Sequence, residues 1–468
     1  MGVCGLSRYL QQDASNFSSY KLHNTRVVID AWNFINFLYR KSGLSILYGG
    51  EYMDFNLCVR DFLKRLRKCR ISPIFLFDGC HSKEGTKLGN LLEKNRQRIK
   101  SLNRLLNQVR LLEPSDVEHY QPLPDICPSL IYETVMQILI EYKVPYMTCD
   151  GEADKSTAEL AMFLDCPVLS NDCDFYLFRS VDSETNLQFI LLDTLDATPS
   201  MLIQMERRLG NANKLIGLND GRPVENRREG MMLRAFKLDL PEVKINITFG
   251  WSNLSNFLRD ALNMDITCVE KYPNHMRTIL FVGVSGCEIH HVNRAIRYRT
   301  IQCFLLISLV FFVTFEHVNG ILDRTDQLEC ILDNLCKCYT SLGDQAKIFC
   351  SRNPSCSHFS ISVVHQLNEL QILYSELASL VCLYEAMSSC SSEVLRFLPV
   401  WLLFPSGRFL HWMAQSIESR ILSKRFNSIG RYWLPRMLSV HSNSQFHERI
   451  FNQLDHIIAD VVAMSLAL

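Results

Sequence analysis

Four short apolar runs in this sequence end in acid. Val27-Val28-Ile29 runs into Asp30, and Phe75-Leu76-Phe77 runs into Asp78. Tyr146-Met147-Thr148 leads through Cys149, Asp150 and Gly151 to Glu152 and Asp154, and Val168-Leu169-Ser170 is followed by Asn171, Asp172, Cys173 and Asp174. Carboxylates brought together repel one another and resist ionisation unless a cation sits among them. Mg²⁺ or Mn²⁺ suits such a cluster, since both take hard oxygen ligands and Mg²⁺ keeps several waters. One or two such ions beside a phosphate can activate water and stabilise the leaving oxygen, so the chemistry implied is hydrolysis of a nucleic-acid backbone. Taken singly, each acid reads better as a helix N-cap or turn residue. Glu152 and Asp154 also stand where acids favour the start of a helix, here one continuing through Ala158, Leu160, Ala161 and Leu164. The repetition at strand ends is what favours a metal site. Asp172 and Asp174 are two residues apart, a spacing that puts both side chains on one side of an extended backbone.

The elements that must position these acids can be read from periodicity. Strands are expected at Arg26 to Ile29, Pro73 to Phe77, Val144 to Thr148, Pro167 to Ser170 and Leu187 to Leu192. Between them, Val59, Phe62, Leu63 and Leu66 recur at helical spacing, as do Val135, Ile138, Leu139 and Tyr142. Strands alternating with helices predict an α/β domain, a parallel sheet flanked by helices, over residues 1 to 195. In such a sheet the strands align their carboxyl ends, where ligands bind, so the acids converge on one edge. From 196 to 320 the pattern decays into a divergent or irregular segment. From 321 to 468 helical periodicity returns and predicts a mainly α-helical C-terminal region. One stripe is Val364, Leu367, Leu370, Tyr374, Leu377, Val381 and Tyr384, and another is Ile450, Leu454, Ile457, Val461 and Met464.

The bulk numbers neither point to this chemistry nor oppose it. The chain has 468 residues, enough for two or three domains, and its 49 basic and 49 acidic side chains cancel. No global field marks it as a nucleic-acid binder, so any such signal must be local. Its 18 cysteines are scattered without paired zinc spacing, which favours reduced thiols in a nuclear or cytosolic protein over a secreted one. The start, Met1-Gly2-Val3-Cys4-Gly5-Leu6-Ser7, has neither a secretory nor a myristoylation pattern. Ile301 to Phe315 is apolar, but as a helix it would reach only roughly 22 Å, short of a ~30 Å hydrocarbon core, so a buried element is expected there. His290 and His291, and the irregular group Cys336, Cys338, Cys350, Cys356 and His358, read as incidental.

Five ordered segments resemble the motifs of the flap endonuclease (XPG-type) superfamily. Met1-Gly2-Val3-Cys4-Gly5-Leu6 resembles its N-terminal Met-Gly-Ile-x-Gly-Leu, and Val28-Ile29-Asp30-Ala31 its first metal-binding strand. Phe77-Asp78-Gly79 resembles the second, Glu152-Ala153-Asp154 its Glu-Ala-Glu, and Asn171-Asp172-Cys173-Asp174-Phe175 its Asp-x-Asp segment. The stretch from Asp150 to Phe178, and Tyr48-Gly49-Gly50, are especially similar to asteroid homologues. The resemblance covers about residues 1 to 195. It implies a PIN-like nuclease core, with Asp30, Asp78, Glu152, Asp154, Asp172 and Asp174 holding one or two Mg²⁺ or Mn²⁺ ions. It also implies cleavage of DNA at single-strand/double-strand junctions of flap or overhang type.

Departures accompany it. The family's further Gly-Asp motif and glycine-containing DNA-gripping hairpin are not found, and Asp220 in Leu218-Asn219-Asp220-Gly221 reads better as a polar turn. Asn36 stands where the family has a base-stacking Tyr.

Basic residues dominate from Arg60 to Arg110, an excess able to neutralise phosphates locally. From Arg60 to Arg70 a solvated helical face accounts for them. Lys87 and Lys94 are seven apart, on one face of a helix expected after Asp78. They resemble the two basic residues with which the family holds the scissile phosphate, although Lys orients it less strictly than Arg. A second function is consistent with the departures: a fold-retaining scaffold without turnover, since asteroid proteins are linked as a family to EGF receptor signalling.

Overall fold

The computed structural model describes residues 9–10, 12, 17–79, 86–109, 126–149, 151–178, 187–195, 202–207, 277–278, 280–283, 359–388 and 399–418. The described residues fall into two compact units. One is drawn from Met1–Ser42, Leu57–Gln97 and Val135–Asn246, the other from Gly43–Asn56, Arg98–Thr134 and Ile247–Leu468.

The first unit is an α/β sheet domain. Its strands are β1 (Phe17–Leu22), β2 (Arg26–Asp30), β3 (Ser72–Phe77), β4 (Tyr146–Thr148), β5 (Val168–Ser170), β6 (Phe189–Leu191) and β7 (Leu202–Arg207). They form one sheet in the order β1-β7-β6-β5-β2-β3-β4. The five strands from β6 to β4 are parallel, as their near-continuous apolar sequences require: β5 and β6 are buried throughout, and so is β2 after Arg26. β7 and β1 extend the sheet antiparallel, with Phe17 opposite Arg207 and Leu22 opposite Leu202. This polar edge pair was not expected from the sequence.

Helices follow the strands. They are α1 (Ala31–Lys41), α2 (Tyr52–Lys68), α3 (Thr86–Val109), α4 (Ile131–Glu141) and α5 (Asp154–Phe163). α1 lies against β2, β3 and β5, burying Ala31, Phe34, Ile35 and Tyr39. The Phe34 ring meets Phe62 at 4.7 Å and Phe75 at 5.2 Å between centroids. α5 packs on β2 and β5, and its Ala158 and Ala161 join a core with Val28, Val168, Phe175, Tyr176 and Phe189. The expected solvated face of Arg60 to Arg70 needs one correction. Arg60 is only 5% exposed, because Glu141 pairs both its terminal nitrogens, at 2.7 and 2.5 Å, and the Tyr142 ring lies 5.3 Å beneath the guanidinium. Arg65, Arg67 and Lys68 are exposed, as expected.

In the second unit the described C-terminal residues are helical: α6 (Ile361–Ser388), α7 (Val400–Leu403) and α8 (Gly407–Glu418). The stripe of Val364, Leu367, Leu370, Tyr374, Leu377 and Val381 is buried, as its spacing predicts. Residues 277–278 and 280–283 are also helical, with Leu280, Phe281 and Val282 buried. Gly49 and Gly50 have φ of +92° and +116°, backbone that a side chain would strain. The second stripe from Ile450, the apolar run from Ile301, Asp220, the His290-His291 pair and the group from Cys336 to His358 lie outside the described residues. Among the described residues no helix is long and apolar enough to cross a membrane.

Candidate metal centre

The chain runs from β2 outward to β3 and β4, then returns to place β5 on the other side of β2. A parallel sheet opens a crevice where its strand order reverses in this way. β2 and β5 are paired there, Val28 with Val168 and Ile29 with Leu169, so Asp30 and Ser170 end neighbouring strands at that point. The carboxylate of Asp30 is fixed at both oxygens. Oδ1 accepts the Asn33 N–H at 3.1 Å, capping α1, and Oδ2 accepts the Ser170 hydroxyl at 2.9 Å. Ser170 Oγ in turn accepts the Asp172 N–H at 3.0 Å.

β3 delivers Asp78 just beyond the Phe77–Thr148 pairing of β3 with β4. Asp78 Oδ1 accepts the Ala153 N–H at 2.7 Å, and Gly79 N–H donates to Gly151 O at 2.8 Å. These two bonds hold the segment bearing Glu152 and Asp154 to the end of β3. Asp154 opens α5, where acid is favoured, while Glu152 is exposed just ahead of it.

Asp172 and Asp174 are brought together differently from the expectation. Residues Cys173–Tyr176 form a 3-10 turn, and only Asp172 has extended backbone. Asp172 Oδ1 caps the turn by accepting the Asp174 N–H at 3.1 Å, because a short acid side chain just before a turn reaches the N–H groups left unpaired. A ligand atom from each of Asp172, Cys173 and Asp174 still lies within 4.8 Å of the others.

The electrostatics follow from this crowding. Burial, together with the Asp78 and Asp172 charges, pushes the Asp30 carboxyl up to about 6, against the two hydrogen bonds that favour its ionised form. Burial and the charges of Asp30, Asp172, Asp78 and Glu152 push Asp154 up to about 7. Four of the acids singled out in the sequence, Asp30, Asp78, Glu152 and Asp172, are thus close enough to act on a fifth, Asp154. Asp174 joins through Asp172. The donor set is all-oxygen apart from the Cys173 thiol. A hard divalent cation suits such donors, since positive charge would offset the burial and the repulsion that raise Asp30 and Asp154.

Lys87 and Lys94 both lie on α3, seven residues apart; their side chains are outside the described residues. Asn36 sits on α1, where its side-chain amide donates to Trp32 O at 2.7 Å.

Sequence reading missed the residues that lace the strand ends together. Asn33 Oδ1 accepts the Asn171 N–H at 2.9 Å, and Asn171 Oδ1 accepts the Asp193 N–H at 3.1 Å. With Ser170, these tie β2, β5 and the turn after β6. A signal was present: Asp193 directly follows the fifth apolar run, Leu187 to Leu192, so that strand also leads into acid.

No protein-family model matches the chain. The single-strand DNA endonuclease ASTE1 of Homo sapiens is 32% identical to it over 179 residues, 38% of this chain and 24% of that protein. Protein asteroid of Drosophila melanogaster is 32% identical over 197 residues, 42% of this chain and 20% of that protein. The chain therefore spans about a quarter or less of the length of these two curated relatives. A solved structure, the catalytic core of Rad2 in complex with DNA substrate, aligns with 46% of this chain and 58% of its own at 16% identity. Its TM-score is 0.30, too low an overlap to carry an argument. The resemblance to asteroid homologues is borne out by a relative bearing that name, over the 197 residues it shares with this chain.

Proposed function

We propose that the first unit is a divalent-metal-dependent nuclease domain that hydrolyses phosphodiester bonds in DNA, on substrates with single-strand/double-strand junctions of flap or overhang type. The observation that carries this reading is the gathering of acids at the strand-order reversal, where burial and then like charge push Asp30 up to about 6 and Asp154 up to about 7. Relatives named as single-strand DNA endonucleases support DNA as the substrate class.

Asp30, Asp78, Glu152, Asp154, Asp172 and Asp174 would hold one or two Mg²⁺ or Mn²⁺ ions. Bound there, the metal would make water a stronger nucleophile at neutral pH and offset charge on the leaving oxygen. The chain's own residues do the positioning. Asn33 N–H and Ser170 orient Asp30, the Ala153 N–H orients Asp78, and the Asp174 N–H orients Asp172. Preset ligands of this kind avoid reorganisation when substrate arrives. Lys87 and Lys94 on α3 would hold the scissile phosphate, and the domain would act in the nucleus or cytosol.

The test is cleavage by the purified chain of flap, overhang and hairpin DNA with and without Mg²⁺ or Mn²⁺. Metal-dependent cleavage abolished by Asp30→Asn is the expected result. Absence of cleavage on every substrate would sink the nuclease reading. A scaffold without turnover, acting in EGF receptor signalling, is the second reading. It is favoured by the capping bonds of Asp30, Asp78 and Asp172, which acids kept only for folding would also make. Absence of Mn²⁺ binding together with absence of cleavage selects it.

A further inference from the structure

Ser170 ends β5 fully buried, and its hydroxyl makes two bonds at once. It donates to Asp30 Oδ2 at 2.9 Å and accepts the Asp172 N–H at 3.0 Å. Only a group that both donates and accepts can join a carboxylate to a backbone N–H in this way. A buried polar atom is costly unless paired, and both of these pairings go to members of the acidic cluster.

We propose that Ser170 is a positioning residue that sets the separation and orientation of Asp30 and Asp172 across the strand-order reversal, and so tunes the affinity of the site for a divalent ion. The proposal rests on the reading that these acids hold metal. With Asn33 N–H on Oδ1 and Ser170 on Oδ2, the Asp30 carboxylate is restrained about its terminal torsion. Its remaining lone pairs are thereby aimed before any cation arrives. The same hydroxyl anchors the backbone of Asp172, whose side chain caps the turn carrying Asp174. Losing the hydroxyl would free Oδ2 and release the Asp172 N–H together. Outer partners of metal-ligating side chains typically contribute about 10- to 100-fold in metal affinity.

The experiment compares the full chain with Ser170→Ala, Ser170→Thr and Ser170→Cys. Mn²⁺ binding is followed by loss of the free-ion paramagnetic resonance signal, alongside melting in chelator and cleavage at limiting and saturating Mn²⁺. Ser170→Ala is expected to weaken Mn²⁺ binding about 10- to 100-fold. Cleavage should fall more at limiting than at saturating Mn²⁺, and Ser170→Thr, which keeps the hydroxyl, should bind close to wild type. If Ser170→Ala does not fold, Ser170→Cys carries the comparison, since a thiol fills similar space but is a weak donor. A lower melting temperature with unchanged Mn²⁺ affinity would show a packing role and overturn the proposal. Wild-type chain that binds no Mn²⁺ would remove the metal reading as well, so the two failures are distinguishable.

Discussion

At the carboxyl edge of the sheet, Asp30 meets neutral donors, Asn33 N–H and Ser170, and the like charges of Asp78 and Asp172. In the second unit, Glu51 is buried more deeply, at 3% exposure against 9%, yet it faces the Arg408 charge and N–H and the Ser406 hydroxyl, with the like charge of Asp54 as a smaller influence. Nearby in that unit, the Tyr52 hydroxyl lies 2.8 Å from Gln371 Oε1 and 3.1 Å from Gly49 O while accepting the Leu130 N–H at 3.0 Å. Around Glu51 and Tyr52, then, buried polar groups meet complementary partners, as is usual in a core. At the sheet edge the charges that act on Asp30 are Asp78 and Asp172, both of its own sign, a pattern that costs stability and suits a bound cation. Burial alone does not separate the two regions; the sign of the neighbours does.

The comparison breaks hardest at Asp172 and Asp174. Asp172→Asn with Asp174→Asn keeps a side-chain oxygen to cap the 3-10 turn while deleting two charges. Cleavage should fall by about a thousandfold or more, since charge stabilisation by metal is worth several kcal/mol and each 1.36 kcal/mol is about tenfold. Melting in chelator should stay level or rise, because repulsion is relieved. A double variant that melts lower yet cleaves at the wild-type rate would show that these acids are structural, like those of the second unit.

Gly407 marks the opposite extreme. It opens α8, donates its N–H to Gly50 O at 2.7 Å, and leaves no space for a side chain. A Cβ there would stand 2.1 Å from Tyr48 O and 2.9 Å from Gly50 O, both backbone atoms. Gly407→Ala should therefore cost about 3 kcal/mol or more, read as a lowered denaturation midpoint. Tyr52→Phe is milder. It leaves the Leu130 N–H without its buried acceptor, for a loss of about 1–3 kcal/mol. Mn²⁺ binding per folded molecule should be unchanged in Tyr52→Phe. A change would mean that the two regions are coupled.

How far the sequence revealed this contrast depends on how local each signal was. β2, β3, β4, β5 and β6 were legible because each reads as a short apolar run, buried throughout in β5 and β6 and after Arg26 in β2, and because acids come at or soon after the end of each. β1 and β7 were not, since Phe-Ser-Ser-Tyr-Lys-Leu and Leu-Ile-Gln-Met-Glu-Arg are the mixed sequences of an antiparallel edge pair. Ser170 was quoted only as the end of a strand; its role needs the register that sets it beside Asp30. Asp172 and Asp174 were grouped correctly for the wrong backbone, extended instead of a 3-10 turn. The second unit was the least legible. Gly49 and Gly50 signal an unusual turn, but nothing local says that Tyr48 packs edge-on to Phe359 and His411, more than three hundred residues away.

The smallest expected effect tests whether Glu51 is as well matched as its partners suggest. Burial pushes its carboxyl up to about 7 from an ordinary 4.5, even against Ser406 and Arg408, with Asp54 adding slightly to the rise. The folded chain therefore holds this proton more tightly than the unfolded chain. Below pH ~4.5 both states are protonated and the group is neutral to stability; as pH rises through 7, folding must either retain a proton or bury a charge, and stability falls. Glu51→Gln places an amide where the protonated acid stands, with an oxygen still able to accept the Arg408 N–H at about the present 3.1 Å. The variant should match wild type near pH ~4.5 and exceed it by roughly 1–3 kcal/mol near pH ~8, a difference growing across that window. His411, buried and held down to about 3, contributes the opposite slope, with stability lost as pH falls below its ordinary 6.5, and that slope is common to both proteins and cancels in the difference. Denaturation midpoints of the two proteins across this range decide the matter. A variant less stable than wild type at pH ~8 would mean that the Glu51 charge is compensated by Arg408 after all.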